Sequence, residues 1–531
     1  MSSTNPQSSV PAALDAILRT PFAAIPDMIR AAAQRHPERA ALIHDDRRLN
    51  YAGLDALLDR IAARLQRDGL KPRDSIAICA TTSIEYAAVF LGGLRAGLAV
   101  APLATTAAPD SLANMIADSD ARLLFLDRDV STLLAPAATR ASVKRIALDG
   151  SGVAPTLDGW LAPPGSKPAP VAIDPSWTFN VIYSSGTTGQ PKGIEQPHQM
   201  RWGHVQRGVR NDYDADAITL ISTPLYSNTT LVSFFPTLAL GGTVVLMAKF
   251  DAAGYLALAE KHRVTHAMLV PVQYQRLMAL PDFDRYDLSS FRCKYCTSAP
   301  FPAALKADIL KRWPGGLVEI FGMTEGGGVC ILEAHKFPNK LHTVGRPAAG
   351  HDIRVIDDQG NEVPRGELGE VVGSSGAIMT GYRHQPSMTR EAEWYDPNGK
   401  RFIRTGDIGR FDEDGFMILM DRKKDMIISG GFNIYPSDLE AVARAHPEVA
   451  EVAVVGVPSS RWGETPVAFV VLKAGAKTTG DALRAWINDK LGKTQRLAAL
   501  ELCDSLPRGS IGKVLKRELR DAYKAKIGVL P

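Results

Sequence analysis

Helix-type and strand-type hydrophobic patterns alternate along the chain from about residue 25 to about residue 420. In "NYAGLDALLDRIAARLQRDGL", Asn50 suits an N-cap, and the apolar residues that follow fall on one helical face. The strand pattern "SIAICA", a helical pattern around "SIEYAAVFLGGLRAG" and the strand pattern "LAVAPL" come next. A second such run starts at "AITLISTP" and continues through "GGTVVLM", "HAMLVP" and "GLVEIFG". This βαβ order predicts an α/β fold built from parallel-sheet subdomains covered by helices.

The pattern changes near residues 420–435, where "DRKKDMIISGGFNIYPSDLEAV" combines clustered charges, a Gly-Gly pair and a proline. Ser437 and Glu440 have the spacing of a capping box, which predicts that Ser437 caps a helix. Roughly 110 residues lie beyond this segment, enough for a small α+β domain. We therefore predict a large N-terminal domain over residues 1–421 and a small C-terminal domain over residues 422–531.

Composition and local patterns exclude several classes of function. The formal net charge is +4 and the basic residues alternate with acids, so we expect no nucleic-acid surface. Of five cysteines, Cys293 and Cys296 form a single C-x-x-C motif, which predicts core thiols in a reducing compartment. Arg95 and glycines interrupt the apolar residues 87–104, which predicts a buried helix and strand and no stable membrane insertion. The N-terminus lacks a signal-peptide pattern, so the cytoplasm is the expected location.

A loop rich in glycine and hydroxyl residues, "YSSGTTGQPKG" (Tyr183–Gly193), follows the apolar pattern "FNVI". Glycines let backbone N–H groups approach a phosphate, hydroxyls donate hydrogen bonds, and a lysine adds a point charge. The loop is not a Walker A motif, because Gly186 and Gly189 are too close together and Lys192 precedes a glycine. The residues therefore indicate a phosphate-binding loop of another type, with a plain surface loop as the alternative.

This loop resembles the signature loop of the adenylate-forming superfamily, which includes acyl-CoA synthetases, 4-coumarate–CoA ligases, peptide-synthetase adenylation domains and firefly luciferase. Further segments resemble family motifs in the family's order: "FGMTEGGG" its Mg–ATP motif, "IRTGD" its ribose-binding motif, "DRKKDMIISGGFNIYP" its hinge and "LPRGSIGKVLKREL" its catalytic-lysine segment. The resemblance spans nearly the whole chain and implies the adenylate-forming enzyme fold. It also implies a two-step reaction, in which a carboxylate attacks the α-phosphorus of ATP and a thiol then displaces AMP.

The resemblance implies roles for individual residues, with ATP, Mg²⁺ and coenzyme A as the cofactors and co-substrates. Lys513, Thr188 and Glu325 would be catalytic, with Lys513 bridging the substrate carboxylate and the α-phosphate and Glu325 binding Mg²⁺. The residues implied in binding ATP or AMP are Ser184, Ser185, Gly186, Thr187, Thr188, Gly189, Lys192, Ala299, Phe321, Gly322, Thr324, Asp407, Arg422 and Lys513.

The second half-reaction is implied to follow a rotation of the small domain about a hinge at Lys424. That rotation would move Lys513 away and bring "SGGF" to the site, where Gly430 and Gly431 leave room for the pantetheine arm of CoA. Trp462 stands where some aryl-CoA ligases place an aromatic ring against the CoA adenine, with simple packing as the alternative.

The acid pocket is the least specified part of the sequence. Ser227 stands in "PLYSNTT" where many members have histidine. The candidate lining residues are Tyr226, Ser227, Asn228, Val270, Gln273, Thr297, Gly326, Gly327 and Gly328. This set contains no lysine or arginine, so a second carboxylate on the substrate is not expected. Its mixed apolar and small polar character suits an aryl acid or a medium- or long-chain fatty acid.

The sequence thus favours a free-standing ATP-dependent acyl-CoA synthetase that acts on a small-molecule carboxylic acid. The alternatives are an adenylation enzyme that loads a carrier protein, a luciferase-type oxygenase, and a non-catalytic nucleotide-binding protein on the same fold. "PRGSIGK" also fits the P-x-x-x-x-G-K pattern of bacterial synthetases whose catalytic lysine is acetylated. We therefore predict that an acetyltransferase and a deacetylase act on Lys513; an oligomer is compatible with the sequence.

Overall fold

The computed structural model of the chain describes residues 12–137, 143–184, 192–430, 432–492, 495–509 and 512–530. The chain forms two compact units. The first unit comprises Met1–Leu341, Ala348–Asp352 and Ser374–Ile403, and the second comprises His342–Pro347, Ile353–Gly373 and Arg404–Pro531. The boundary expected between residues 421 and 422 lies inside the second unit and stays a prediction.

Both units contain α-helices. Among the described residues the α-helices are α1 Ala12–Arg19, α2 Ile25–Arg35, α3 Tyr51–Arg67, α4 Ile84–Arg95, α5 Pro109–Asp118, α6 Arg128–Leu134, α7 Leu157–Trp160, α8 His198–Arg210, α9 Asn228–Ala239, α10 Ala252–Lys261, α11 Pro271–Met278, α12 Ala303–Arg312, α13 Pro386–Glu391, α14 Pro436–Arg444, α15 Gly480–Lys490 and α16 Lys516–Ile527. Short 3-10 helices span Ala135–Ala137, Phe283–Arg285, Pro338–Lys340 and Lys423–Asp425.

Strands alternate with these helices through most of the first unit. In the described ranges the strands are β1 Ala40–His44, β2 Arg47–Asn50, β3 Ser75–Cys79, β4 Ala99–Pro102, β5 Ala121–Leu126, β6 Lys144–Ala147, β7 Thr178–Ser184, β8 Lys192–Pro197, β9 Ile218–Ile221, β10 Thr243–Leu246, β11 His266–Leu269, β12 Cys293–Cys296, β13 Gly316–Phe321, β14 Cys330–Glu333, β15 Arg346–Pro347, β16 Asp352–Ile356, β17 Gly369–Ser374, β18 Gly381–Tyr382, β19 Glu393–Tyr395, β20 Arg401–Phe411, β21 Met417–Arg422, β22 Ile427–Ser429, β23 Phe432–Ile434, β24 Val449–Ser459, β25 Gly463–Leu472 and β26 Ala499–Leu502.

The first unit is built on two sheets whose central pairs are parallel. One sheet has the order β14-β13-β12-β11-β9-β10-β1-β2, and the pairs from β13 to β1 are parallel. The other has the order β18-β8-β7-β4-β3-β5-β6, parallel from β7 to β6. Helices between parallel strands leave those strands buried on both faces, which explains their continuous apolar runs. The predicted α/β fold is confirmed.

Three local expectations for the first unit also hold: the cap at Asn50, the buried segment over residues 87–104 and the core thiols. The Asn50 side chain accepts a hydrogen bond from the Gly53 backbone N–H and so caps α3, whose inward face is apolar. The segment over residues 87–104 forms buried α4 and β4. Cys293 and Cys296 are buried thiols on β12. No helix in the described part of the chain combines the length and the apolar character that crossing a bilayer requires.

The C-terminal part of the second unit is a sheet with helices on both faces. Its strand order is β23-β22-β25-β24, and β26 pairs with β25. Alternate residues of β24 enter different cores: Val452 and Val454 pack with residues of α14 and α15, while Val455 and Val457 pack with residues of α16. The uninterrupted apolar run "VAEVAVVGV" follows from this two-sided burial.

The capping box predicted at Ser437 is wrong. Helix α14 begins at Pro436, after an N-cap at Tyr435, and lacks a side-chain cap. Proline suits the first helical position because its φ is already helical and its missing N–H would be unpaired there. Glu440 instead accepts a hydrogen bond from the Val454 N–H at 2.9 Å.

Candidate active site

The two described ends of the phosphate-loop candidate lie side by side. Strands β7 and β8 are antiparallel, and Ser184 pairs in register with Lys192. The loop residues Ser185, Gly186, Thr187, Thr188 and Gly189, which the sequence assigns to ATP binding, lie outside the described residues. The buried strand before the loop therefore positions Ser184, and the strand after it positions Lys192.

Glu325 of the Mg–ATP motif is held through both its side chain and its backbone. The hydroxyl of Tyr382 donates a hydrogen bond to Glu325 Oε1 at 2.8 Å, and the Met379 N–H donates to the Glu325 carbonyl at 2.8 Å. Burial, and then the charge of Glu325, raise the pKa of the Tyr382 phenol well above its usual value. The Lys192 Nζ lies 5.2 Å from the centroid of the Tyr382 ring. Lys192, Tyr382 and Glu325 thus form one continuous chain of contacts.

Close backbone approaches explain the glycines of "FGMTEGGG". Gly326 has φ of +78°, and a Cβ there would lie 2.0 Å from the Ala377 carbonyl oxygen. The Gly327 N–H donates to the same oxygen at 3.0 Å. A Cβ on Gly322 would lie 2.7 Å from Val329 Cγ1. The segment can pack in this way only with bare backbone at these positions.

A buried amide connects three regions of the candidate site. The Gln196 Nε2 donates to the Thr324 carbonyl at 2.6 Å and lies 3.3 Å from Asn228 Oδ1. Its Oε1 accepts a hydrogen bond from Asn180 Nδ2 at 2.9 Å and another from Arg201. The phosphate-loop strand, the Mg–ATP motif and the acid-pocket residue Asn228 are therefore joined through one side chain.

Two ATP-binding candidates, Ala299 and Phe321, and the acid-pocket candidate Thr297 lie at the ends of neighbouring strands. Thr297 follows β12, and its hydroxyl donates to the Ile320 carbonyl of parallel β13 at 2.7 Å. Ala299 lies beyond the end of β12 and Phe321 is the last residue of β13, and both are half-buried. Ligands of open α/β sheets usually bind at the carboxyl ends of the strands, which is where these three residues lie.

The acid-pocket candidates differ in whether the protein already uses their polar atoms. Tyr226, Ser227 and Asn228 lie at the start of α9. Gln273 is buried, accepts from the Val270 N–H at 3.1 Å and donates to Ser222 Oγ at 3.2 Å. Those bonds hold the start of α11, so the polar atoms of Gln273 are already used by the protein.

In the second unit, the structure brings together three residues that the sequence assigns to the nucleotide site. Asp407 pairs in register with Arg422, and the Arg422 Nε lies 2.7 Å from Asp407 Oδ1. Burial raises the pKa of Asp407, while Arg422 and Lys513 act against that rise. Burial, and then the charge of Arg422, lower the pKa of Lys513 to about 8.

The hairpin that carries Lys513 is closed by its own backbone. The Gly509 N–H donates to the Lys513 carbonyl at 2.9 Å, and the Gly512 N–H donates to the Gly509 carbonyl at 2.8 Å. Gly512 has φ of +76°, a conformation that L side chains rarely adopt. The hinge candidate Lys424 lies in the 3-10 helix that follows β21 and is exposed.

The CoA candidates Gly430 and Trp462 are direct neighbours. The Gly430 N–H donates to the Trp462 carbonyl at 2.8 Å, and a Cβ on Gly430 would lie 2.8 Å from Trp462 Cε3. The Trp462 side chain is 46% exposed, and the Arg461 guanidinium carbon lies 4.7 Å from its ring centroid. Gly431 lies outside the described residues. The result is a partly exposed aromatic ring beside a bare backbone position.

Tyr382, Gln196 and Arg207 are candidate functional residues that the sequence did not reveal. Each interacts with at least one residue that is distant along the chain, and none belongs to a recognisable motif. Arg207 projects from α8 and interacts electrostatically with Tyr213 and Tyr295. Burial lowers the pKa of its guanidinium.

The family model described as "AMP-binding enzyme" matches residues 29–383, and the model "AMP-binding enzyme C-terminal domain" matches residues 438–513. The chain is 34% identical to a feruloyl-CoA synthase from Amycolatopsis sp over 92% of this chain and 97% of that protein. It is 32% identical to a fatty acid–[acyl-carrier-protein] ligase ScoC from Streptomyces coeruleorubidus over 92% of this chain and 95% of that protein.

A solved structure gives the same result for the fold. The amide bond synthetase McbA from Marinactinospora thermotolerans matches with a TM-score of 0.83 and 28% identity, over 94% of this chain and 99% of that one. The ordered motifs, the two family models and the near full-length relatives agree. The chain belongs to the AMP-binding enzyme family of adenylate-forming ligases.

Proposed function

We propose that the protein is an AMP-forming acyl-CoA synthetase, which activates a carboxylic acid with ATP and transfers the acyl group to free CoA. The partly exposed ring of Trp462 beside Gly430 is the observation that favours CoA as the acceptor. A flat aromatic ring with an adjacent guanidinium suits the adenine and phosphates of CoA. The feruloyl-CoA synthase relative supports the same class of acceptor.

In the first half-reaction, a carboxylate oxygen of the acid attacks the α-phosphorus of ATP. The bond to the bridging oxygen breaks, and pyrophosphate leaves with the electron pair. Both reactants are anions, so the protein must mainly neutralise charge and fix positions. Lys192 would face the β- and γ-phosphates. Lys513, whose pKa is about 8, is mostly protonated at pH 7 and would donate hydrogen bonds to the carboxylate and the α-phosphate.

Mg²⁺ fits the chemistry of Glu325. Among the described residues only Tyr382 bonds to its carboxylate, through Oε1, which leaves Oε2 for a cation. One carboxylate together with phosphate oxygens is a usual Mg²⁺ ligand set. When bound, the ion would neutralise phosphate charge. The described residues hold no cluster of three or more His, Cys, Asp or Glu side chains suited to a metal, so Glu325 would act alone.

In the second half-reaction, the sulfur of CoA attacks the acyl carbon of the adenylate, the acyl–oxygen bond breaks, and AMP leaves. Gly430 would let the pantetheine arm pass close to the backbone, because it has no side chain. Asp407 would accept hydrogen bonds from the ribose hydroxyls, and Arg422 would fix that carboxylate through the 2.7 Å ion pair.

Two other acceptors remain as alternatives within the same chemistry. The relative ScoC is named as a ligase for an acyl carrier protein, and the structural neighbour McbA as an amide bond synthetase. A carrier thiol or an amine would replace CoA only in the second half-reaction. The first half-reaction would stay the same, so ATP–pyrophosphate exchange alone does not distinguish the three.

The Trp462→Ala variant tests the choice of acceptor. We expect the KM for CoA to rise about 10-fold, which corresponds to the loss of roughly 1.4 kcal/mol of stacking, while ATP–pyrophosphate exchange is unchanged. The control is Tyr395→Ala, which removes another exposed aromatic ring, 53% accessible, in the first unit. If acid-dependent pyrophosphate exchange occurs but no acyl-CoA forms, the carrier or amine alternative replaces this proposal.

A further inference from the structure

Arg207 is a half-buried arginine whose charge no described carboxylate neutralises. It lies on α8 one turn after the buried His204 and is half-buried. Over the part of the chain that the structure describes, its guanidinium makes neither an ion pair nor a hydrogen bond. The groups that act on it are the neutral phenols of Tyr295 and Tyr213, with no carboxylate among them.

Arg201, six positions earlier on the same helix, shows how this fold satisfies a buried guanidinium. Its Nε and Nη2 donate to Asn180 Oδ1 at 3.0 and 2.9 Å, and Nη2 also donates to Gln196 Oε1. The faces of Phe179 and Phe235 lie 5.8 and 5.7 Å from its guanidinium carbon. Arg207 has none of these partners. Its five N–H donors are thus left for water or for a ligand.

The surroundings of Arg207 are polar, but their hydrogen bonds are largely used. Tyr295 donates to the Asn211 carbonyl at 3.1 Å. His351 Nδ1 accepts from the Val329 N–H at 3.1 Å, so the neutral ring carries its proton on Nε2 and offers a second donor. Burial, and then the charge of Arg207, lower the pKa of His351 to about 4. His351 is therefore neutral at pH 7, and Arg207 supplies a positive charge that no described neighbour balances.

These residues adjoin two segments of the candidate acid pocket. Tyr295 lies on β12, two residues before Thr297. Val329, which binds His351, directly follows the turn Gly326–Gly328. The helix that carries Arg207 is joined to the first segment directly, because Tyr295 donates to the carbonyl of Asn211, the residue that ends α8.

We propose that Arg207 binds a second carboxylate on the substrate, at the end of the acid remote from the carboxyl group that is activated. This inference rests on the proposed function and specifies its substrate as a dicarboxylic acid. It departs from the expectation drawn from the sequence, where no basic residue appeared among the lining residues. A guanidinium can bind a carboxylate through two parallel hydrogen bonds, which suits an otherwise unpaired Arg207.

We expect the protein to select dicarboxylic acids because leaving the charge of Arg207 unpaired and shielded from water is unfavourable. A monocarboxylic acid of the same shape would shield Arg207 from water and supply no partner. A dicarboxylic acid would replace the lost water with two charge-assisted hydrogen bonds. We therefore expect dicarboxylic acids to exceed matched monocarboxylic acids by at least about 10-fold in kcat/KM, mainly through KM.

The test uses matched acid pairs in ATP–pyrophosphate exchange and in acyl-CoA formation. Straight-chain dicarboxylic acids of increasing length are each compared with the monocarboxylic acid of equal length, and 4-carboxycinnamate with 4-methylcinnamate. The proteins are wild type, Arg207→Met, Arg207→Lys and the control Arg210→Gln, which changes an exposed arginine on the same helix. Circular dichroism checks the folding of each variant.

We expect wild type and Arg210→Gln to prefer at least one dicarboxylic acid about 10-fold or more. Arg207→Met should lose that preference, and Arg207→Lys should restore part of it. Turnover of monocarboxylic acids with no dicarboxylic preference in wild type would overturn this inference and leave the proposed function intact. A preference that survives in Arg207→Met would also overturn it. Silence with every acid in both assays would overturn the proposed function and this inference with it. If Arg207→Met does not fold, the comparison of matched acids with the wild-type protein decides the question alone.

Discussion

The hydroxyl of Tyr382 lies 2.8 Å from Oε1 of Glu325 and donates a hydrogen bond to that carboxylate. Tyr382 also contacts Lys192, whose ammonium nitrogen lies 5.2 Å from the centroid of the Tyr382 ring. One tyrosine thus connects the strand after the phosphate loop with the candidate Mg²⁺ ligand. We infer that Tyr382 positions the two charged groups that would meet the triphosphate.

Tyr382→Phe isolates the hydroxyl, because the ring beside Lys192 is kept. A hydrogen bond to a charged group contributes about 1.5 kcal/mol, so we expect kcat/KM for ATP in pyrophosphate exchange to fall roughly 10-fold. We also expect the Mg²⁺ concentration for half-maximal activity to rise. Tyr395→Phe is the control, since Tyr395 donates to Glu393 at 3.0 Å on the surface. Equal effects of the two variants would contradict the positioning role.

Gly326→Ala should be far more harmful than Gly350→Ala. Both glycines have φ of +78°, so both substitutions carry the same backbone strain of about 1–2 kcal/mol. Only at Gly326 would the new Cβ meet a backbone oxygen, at 2.0 Å, whereas at Gly350 it would meet open space. We expect Gly326→Ala to lower the free energy of unfolding by about 2 kcal/mol more than Gly350→Ala and to lose most activity. Urea denaturation and pyrophosphate exchange measure the two effects, and equal stabilities would contradict the packing described.

The pH dependence of adenylation should report Lys513. Its pKa is lowered to about 8, first by burial and then by the charge of Arg422. The protonated form is the one that neutralises charge, so kcat/KM for ATP should be full below this value and fall as pH rises through about 8. In Lys513→Arg the side chain stays charged over this pH range. The fall in kcat/KM at alkaline pH should therefore vanish, although kcat/KM at lower pH should be below the wild-type value. If Lys513→Arg shows the same fall in kcat/KM at alkaline pH as wild type, the titrating group is not Lys513.

Acetylation of Lys513 stays a prediction from the sequence pattern. Protein carrying acetyl-lysine at this position loses the positive charge. It should therefore fail to form acyl-adenylate from acid and ATP, yet convert a supplied acyl-adenylate and CoA to acyl-CoA at a rate close to wild type. The two half-reactions are measured separately on the same preparation. Full-rate adenylation by the acetylated protein would contradict the prediction.

Features that depend on residues close together in the chain could be predicted from the sequence. The cap at Asn50, the buried α4 and β4, and the parallel sheets follow from spacing and hydrophobic period. Ser437 failed as a cap because Pro436 directly before it takes the first helical position. Tyr382 and Glu325 are 57 residues apart in the chain, and no local pattern pairs them. Arg207 in "QRGVR" looks like an ordinary exposed helix residue, whereas the fold half-buries it.

The most direct test of the central claim is the amount of AMP and acyl-CoA formed from ATP, CoA and a panel of carboxylic acids, by wild type and by Lys513→Ala. The account predicts equal amounts of AMP and acyl-CoA in wild type, both dependent on acid and CoA, and almost none in Lys513→Ala. The same variant should still form acyl-CoA from a supplied acyl-adenylate. Acid-dependent AMP formation without acyl-CoA, or turnover by Lys513→Ala at the wild-type rate, would contradict the account.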